Sequence, residues 1–392
     1  CISATKMLVF YGALFKGAFT HCYSMRNAQQ FHIGKHDART LVSVVKQHVH
    51  IDYNLAVRGI TSYPLSLLPV HLEELEITGD SYYGYAPLQE MIVSHCGVGT
   101  DRVFASIGTS LANHIAMAVL AGPGDDVLIE EPGYELIVAA AQFLGVNVRR
   151  FQRRAADDFR IDPAAVAREL TPATKIVIVT NLHNPTSAVT SDETLREIGE
   201  AARRVGAKVL VDEVYLDALF DTPRRTAVHL GPEFVVTNSL TKIYGLSGLR
   251  CGWVLAEPEL VRRMWHLNDL YEGIPPHATE RMSVIAMRHL SEIRAWSRAI
   301  MGENRARART ALLGRDDLEC FFPDYGTVVF PRLKRGSVDE LCRTLEGRYR
   351  TAVVPGRFFG MPEHFRVGFG PKPEQFRPGL DNLLKALDEL PR

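Results

Sequence analysis

From about residue 81 the chain alternates between stretches in which apolar residues recur every three or four positions and short unbroken apolar runs. TSLANHIAMAVLAG has the helical period and stops at Gly122, and DDVLIEE is a short strand. YELIVAAAQFLG predicts a helix, NVRRFQR a strand, and DPAAVARELT a helix opened by an aspartate cap and Pro163. KIVIVTNL, AKVLVDEVY and EFVVTNSL are apolar enough to be buried on both faces, with a helix over DETLREIGEAARRVG between the first two. Strands alternating with helices of roughly ten to fifteen residues predict an α/β fold with a mostly parallel sheet sandwiched by helices. In such sheets ligands gather at the carboxyl ends of the strands.

Beyond this region the pattern changes. A long helical stretch is predicted over 277–314, and TVVFPRL, VDELCRTLEGRY, TAVVP, HFRVGFG and a final helix from about 373 then make a smaller α+β domain. The expected organisation is a segment over 1–45 without assignable pattern, a part of the small domain over 46–80, and a large domain over 81–280. A C-terminal small domain over 281–392 includes the connecting helix.

Charge narrows the function classes. The 45 basic and 45 acidic residues cancel, so no global field recruits nucleic acid or an anionic membrane, and any anion site is local. The arginines of MGENRARART lack interleaved aromatics and read as a solvated helix face. Six scattered cysteines without a CxxC pair fit reduced thiols in a cytoplasm, with neither a disulfide framework nor a metal site. No run approaches the roughly 18 apolar residues of a membrane span. MLVFYGALFKGAF is broken by Lys16 and is followed by no small-residue cleavage site, so export is not expected.

Three apolar strands end in conspicuous polar groups: IVIVTNLHNP in Asn184, VLVDEVY in Asp212 with Tyr215 after it, and VVTNSLTK in Ser239 and Lys242. Taken singly, each is an ordinary strand terminus or helix cap, and a lone lysine is a surface residue. Together they fall at the ligand-binding edge of a parallel sheet. A carboxylate there can hold a protonated ring nitrogen, and an amide and a phenol can meet a ring hydroxyl. A buried lysine near other cations has a depressed pKa and attacks a carbonyl. Gly108, Thr109 and Ser110 open a strongly helical run in ASIGTSLANHIAM, as a phosphate site would, and Ser239 and Arg250 complete a clamp. Pyridoxal phosphate carries all four features: ring nitrogen, ring hydroxyl, aldehyde and phosphate.

The set SLTKIYGLSGLRCGW, NLHNP, VDEVY, IGTSLANHIAM and FRVGFG resembles the fold-type I pyridoxal-phosphate enzymes, specifically the class I/II aminotransferases, in the family's order over residues 50–392. The resemblance implies that Lys242 forms the internal aldimine, Asp212 pairs with the ring nitrogen, and Asn184 and Tyr215 contact the ring oxygen. It further implies that Tyr134 stacks on the ring, Arg366 binds the substrate α-carboxylate, and Tyr82 or its neighbour Tyr83 reaches a phosphate across a homodimer interface. An aminotransferase working on an amino acid and a 2-oxo acid is the expected function. The alternatives on the same scaffold are a C–S β-lyase, a cyclising or condensing synthase, and a non-catalytic cofactor-sensing domain.

Two departures stand out: Ser187 occupies a position where glycine is common, and FFPDYGTVVFPRL keeps only Gly326 of a usual glycine pair. Ile60, Tyr63, Tyr271 and His277 are the expected walls around the substrate. No second arginine occupies a recognisable side-chain site, so acidic substrates are not expected. His183 is expected in solvent, Glu213 on a helix-facing or surface partner, and Cys251 packed in a strand.

Overall fold

A computed structural model of the chain describes residues 51–222 and 225–390. The expectations for residues 1–45 lie outside them. After strand β1 (Tyr53–Asn54) and helix α1 (Ala86–Cys96), the apolar runs assemble into a seven-stranded sheet. Its strands are β2 (Val103–Ile107), β3 (Asp126–Glu131), β4 (Asn147–Gln152), β5 (Thr174–Thr180), β6 (Lys208–Asp212), β7 (Phe234–Ser239) and β8 (Cys251–Leu255). Their spatial order is β2-β8-β7-β6-β5-β3-β4. Strand β8 runs antiparallel to β2 and β7, and the other neighbours are parallel. Helices α2 (Thr109–Leu120), α3 (Glu135–Phe143), α4 (Pro163–Glu169) and α5 (Asp192–Arg204) connect the strands. Asp162 caps α4 by accepting from the Ala164 N–H at 2.9 Å, and Ser191 caps α5 by accepting from Thr194 at 3.2 Å.

Period two along each strand sorts the core onto two faces. Val177, Val179, Val209, Val211 and Val236 pack with Leu195, Ile198 and Ala202 of α5. Ile176, Ile178, Leu210 and Val235 pack with Ala112, Ile115 and Ala116 of α2. Each such side chain contributes about 1.5–3 kcal/mol, and a one-residue slip would turn a whole row to the wrong face. The register is therefore fixed, and with it the row of residues that follows each strand.

Helix α6 (Pro258–Asn268) leads from the sheet to α7 (His277–Arg288) and α8 (Leu290–Leu313). The stretch expected as one helix over 277–314 is thus two, broken at His289, where φ is −115° and ψ 21°. The apolar stripe stays on one core across the break and changes core only within α8. Val284, Met287, Ile293 and Met301 pack over the sheet, whereas Ala308 and Leu312, further along α8, belong to a C-terminal core. That core is built from β9 (Leu318–Glu319), β10 (Val328–Val329), β11 (Arg332–Leu333), α9 (Val338–Tyr349), β12 (Thr351–Ala352), β13 (Val354–Pro355), β14 (Phe365–Gly368) and α10 (Pro373–Asp388). Strand β1 pairs in parallel with β12. The chain after it passes to the sheet, where Ile60 N–H donates to the Lys242 carbonyl at 2.8 Å and Tyr63 N–H to that of Gly245 at 3.0 Å.

Because β8 is antiparallel, its beginning lies at the edge where the parallel strands end. Gly252 stands opposite Ser239, and Cys251 opposite Ile107. This topology brings Arg250 to the same edge as Gly108, Thr180, Asp212 and Ser239.

Candidate active site

A cavity of about 570 Å³, counted to its open mouth, lies at that edge. Of the residues singled out from the sequence, Thr109, Ser110, Tyr134, Asn184, Asp212, Tyr215 and Lys242 line it. Gly108, Ser239 and Arg250 adjoin it through Thr109, and Arg366 stands behind Asn184. Tyr82 is 67% exposed and does not line the cavity, and Tyr83 packs edge-on against Trp265. Ile60, Tyr63, Tyr271 and His277 are not walls of it either. Ile60 is buried beside the Lys242 backbone, Tyr63 meets Trp296, Tyr271 meets His114, and His277 is buried against Ser81.

One end of the cavity is an anion cradle. Helix α2 starts at Gly108 with no side-chain cap, so its first N–H groups are free to point at a ligand. Thr109 Oγ1 donates to Ser239 Oγ at 2.8 Å, and Arg250 Nη2 donates to the Ile107 carbonyl at 3.1 Å. Two glycines keep the cradle open. A Cβ on Gly108, whose φ is +89°, would lie 2.3 Å from Arg250 Nη2, and one on Gly252 would lie 2.7 Å from the Gly108 backbone.

At the other end Asp212 is 4% exposed and held from both sides. Asn113 Nδ2 donates to its Oδ2 at 2.8 Å and the Val214 N–H to its Oδ1 at 3.1 Å. Thr237 Oγ1 fixes Asn113 by donating to Oδ1 at 2.6 Å. Burial pushes the Asp212 carboxyl up to about 6, against the pull of Asn113, the Val214 N–H and the Lys242 charge, so it remains an anion at neutral pH. Lys242 moves the other way. Burial, with Arg58 next in weight, lowers its ammonium to about 7, while Asp212 opposes the shift. Burial raises the Tyr215 phenol to about 12, which keeps it a donor.

Arg366 is fully buried. Nη1 donates to Asn184 Oδ1 at 2.8 Å and Nη2 to the Ala56 carbonyl at 3.1 Å, while Nε has no partner. The expectation that no second arginine serves the site is corrected here. Arg58 lines the cavity, its Nη1 donating to the Tyr134 hydroxyl at 2.5 Å and its guanidinium lying 5.0 Å from the Tyr134 ring centre. Nothing in the local pattern of NLAVRGITSY marks Arg58, because the segment has neither period. Asn113 was also missed, although a signal existed: it lies four residues after Thr109, a polar residue between the buried Ala112 and Ile115.

One further expectation is corrected. His183 is 1% exposed, with Nε2 near the Pro132 carbonyl at 2.8 Å and Nδ1 near Thr186 Oγ1 at 2.7 Å. Burial and the Arg153 charge hold it neutral, well below the usual imidazole range. Glu213 is 1% exposed and accepts at 2.7 Å from the N–H of Ala227, the first residue of a short helical turn over Ala227–His229, so it faces a helix. Cys251 is a buried strand residue, and burial raises its thiol to about 12.

The donor set fits pyridoxal phosphate. The glycine-lined cradle with Thr109, Ser110, Ser239 and Arg250 matches a phosphate, Asp212 a protonated ring nitrogen, Asn184 and Tyr215 a ring oxygen, and Lys242 an aldehyde. The unpartnered Nε of Arg366 awaits a further acceptor.

Comparison with known proteins points the same way. The family described as "Aminotransferase class I and II" matches residues 79–383. Capreomycidine synthase from Streptomyces vinaceus is 29% identical over 291 residues, covering 73% of this chain and 74% of that protein. Aspartate aminotransferase from Geobacillus stearothermophilus is 23% identical over 306 residues, covering 74% and 75%. Among solved structures, the PLP-dependent cyclase OrfR superposes with a TM-score of 0.82 at 27% identity, covering 90% of this chain and 97% of that one.

Proposed function

The chain belongs to the class I and II aminotransferases, which work with pyridoxal phosphate, and from that premise we propose that it moves an amino group between an amino acid and a 2-oxo acid at Lys242. The observation that carries the proposal is that Lys242 lines one cavity with Asp212, a carboxylate anchored by Asn113; burial lowers the lysine to about 7. Such an amine takes and returns protons near neutral pH.

Bound in the cavity, the cofactor supplies an aldehyde for the substrate amine and a ring that accepts the electron pair left at the α-carbon. The phosphate is held by Thr109, Ser110, Ser239, Arg250 and the start of α2. Asp212 keeps the ring nitrogen protonated, its two oxygens aimed by Asn113 and the Val214 N–H. Asn184 and Tyr215 hold the ring oxygen, and Tyr134 covers the ring face. Arg366, held by Asn184 and the Ala56 carbonyl behind the cavity wall, is the guanidinium for the substrate α-carboxylate. Lys242, which lines the cavity with its ammonium lowered to about 7, would take the proton from the substrate α-carbon and hold it for return.

The working form is a homodimer. Leu65, Leu67, Leu72 and Ile77 are exposed apolar residues on the same stretch of chain as Tyr82, and a second copy would cover them and receive Tyr82 at its phosphate. Among the described residues Cys251, Cys320 and Cys342 are free thiols, which suits a reducing cytoplasm. Among the described residues no helix is long and apolar enough to cross a membrane.

A second function, a cyclising synthase, is favoured by the similarity to capreomycidine synthase and to the cyclase OrfR. The two part at one step. Loaded protein is mixed with single amino acids and no 2-oxo acid. A transaminase releases about one 2-oxo acid per site and loses its visible band, whereas a synthase keeps the band and accumulates product without that limit. In Lys242→Ala either turnover falls at least about 10³-fold. A band that persists with every amino acid overturns transfer.

A further inference from the structure

Four positive charges at the cavity face one carboxylate of its lining. Lys242, Arg58, Arg250 and Arg366 surround the cavity, and Asp212 is the carboxylate that lines it. A bound cofactor and substrate use Arg250 for phosphate, Arg366 for the α-carboxylate and Asp212 for the ring nitrogen, as proposed above. Arg58 is left over. Among the described residues it forms no ion pair, and its hydrogen-bond partner is the Tyr134 hydroxyl.

The backbone around Arg58 is clamped on both sides. The Ala56 carbonyl accepts from Arg366 at 3.1 Å, Ile60 N–H reaches Lys242 at 2.8 Å, and Thr61 N–H reaches Gly370 at 2.7 Å. Between them Gly59 lies so close to Lys242 that an added Cβ would sit 2.7 Å from its carbonyl oxygen. Tyr134 fixes the far end of the side chain by a hydrogen bond and by its ring face. The guanidinium is therefore presented to the cavity by a rigid support, half-buried and without an anion, which is unfavourable until one binds. A planar fork held in this way suits an oxyanion.

We propose that Arg58 is a second anion receptor, specific for a substrate whose side chain ends in an anionic group, a carboxylate or a phosphate. The inference rests on the proposed placement of the α-carboxylate at Arg366. It also sets the cavity against cationic side chains, which would meet Arg58 with like charge.

Calorimetric titration of the cofactor-loaded protein with unreactive acids tests it without turnover. Glutarate and 4-phosphonobutyrate carry a second anion, and valerate does not. One of the first two is expected to bind at least about 30-fold more tightly than valerate, the factor for a desolvated charge pair. Which one does so identifies the terminal group. Arg58→Gln should abolish this preference and leave valerate binding unchanged, and Arg58→Lys should retain part of it. Equal affinity for all three acids in the wild type overturns the proposal. So does an Arg58→Gln variant that loses valerate by the same factor, which would make Arg58 an α-carboxylate residue, or one that loses the cofactor. A protein that prefers a diacid but transfers no amino group keeps the anion receptor and overturns the transaminase.

Discussion

Thr180, at the end of β5, stands between two groups of buried charges that the fold treats in opposite ways. On one side Glu130 and Arg153 pair at 2.9 Å with side chains 2% and 0% exposed. Every polar atom of the pair is answered. Thr180 N–H and Oγ1 donate to Glu130 Oε1 at 2.8 and 2.5 Å, and Arg153 donates to the Phe159 carbonyl at 2.7 Å and to Thr190 Oγ1 at 3.0 Å. On the other side is the cavity that Thr180 lines. There Arg366 Nε has no partner and Arg58 has no carboxylate. Buried charges closed by the chain itself are architecture. Those left open at the cavity are groups that a ligand there can answer.

The largest effect should separate the two groups by stability. Arg153→Leu leaves Glu130 buried and uncompensated and is expected to cost about 3–5 kcal/mol in urea unfolding. Arg58→Gln removes a cation that no carboxylate in the chain balances, and it should change stability by less than about 1 kcal/mol. Equal losses would break the comparison.

A smaller effect is read in pH. An ordinary lysine titrates at 10.5, and Lys242 is lowered to about 7. The neutral amine is the nucleophile, so its fraction rises from roughly a tenth at pH 6 to roughly nine-tenths at pH 8. The rate at which cofactor-free protein captures the pyridoxal phosphate aldehyde, followed by visible absorption, should climb over that window and level off above it. A rate still rising at pH 10 would show that Lys242 is not desolvated. Arg58→Gln removes the second largest cause of the shift and should move the climb to higher pH.

How much of this was legible in the sequence depended on whether the signal was local. Strands β3, β5, β6 and β7 announce themselves by apolar runs, and the residues that follow them inherit their place from register. That is why Asn184, Asp212, Ser239 and Lys242 could be placed at one edge in advance. Arg58 could not be, because its position is set by contacts with Lys242 and Gly370, far along the chain. His183 was misjudged for the same reason. A histidine in a loop is solvated by default, and only the fold shows the Pro132 carbonyl beside its ring. Tyr82 sits on the surface of the single chain, where its expected role needs a second copy. The passage of α8 from one core to the other, between Met301 and Ala308, leaves no mark in the helical period.

The smallest effect concerns Ser187, a closed polar contact three residues from the cavity residue Asn184. Its φ is +61°, a left-handed conformation that costs a residue with a Cβ about 1 kcal/mol and glycine little. The serine is retained there by its hydroxyl, which donates to the Val328 carbonyl at 2.9 Å and accepts from the Val328 N–H at 3.3 Å, joining the sheet to β10. Ser187→Gly relieves the strain but loses both bonds, each worth about 1 kcal/mol, so the net loss should be about 1 kcal/mol. Ser187→Ala loses the bonds and keeps the strain, and it should cost about 2 kcal/mol. Because this contact is closed by the chain, kcat should stay within about twofold in the glycine variant. A larger fall in kcat with stability preserved would show that Val328 and the strand it begins help to shape the cavity, and the line between closed and open groups would then have to be drawn elsewhere.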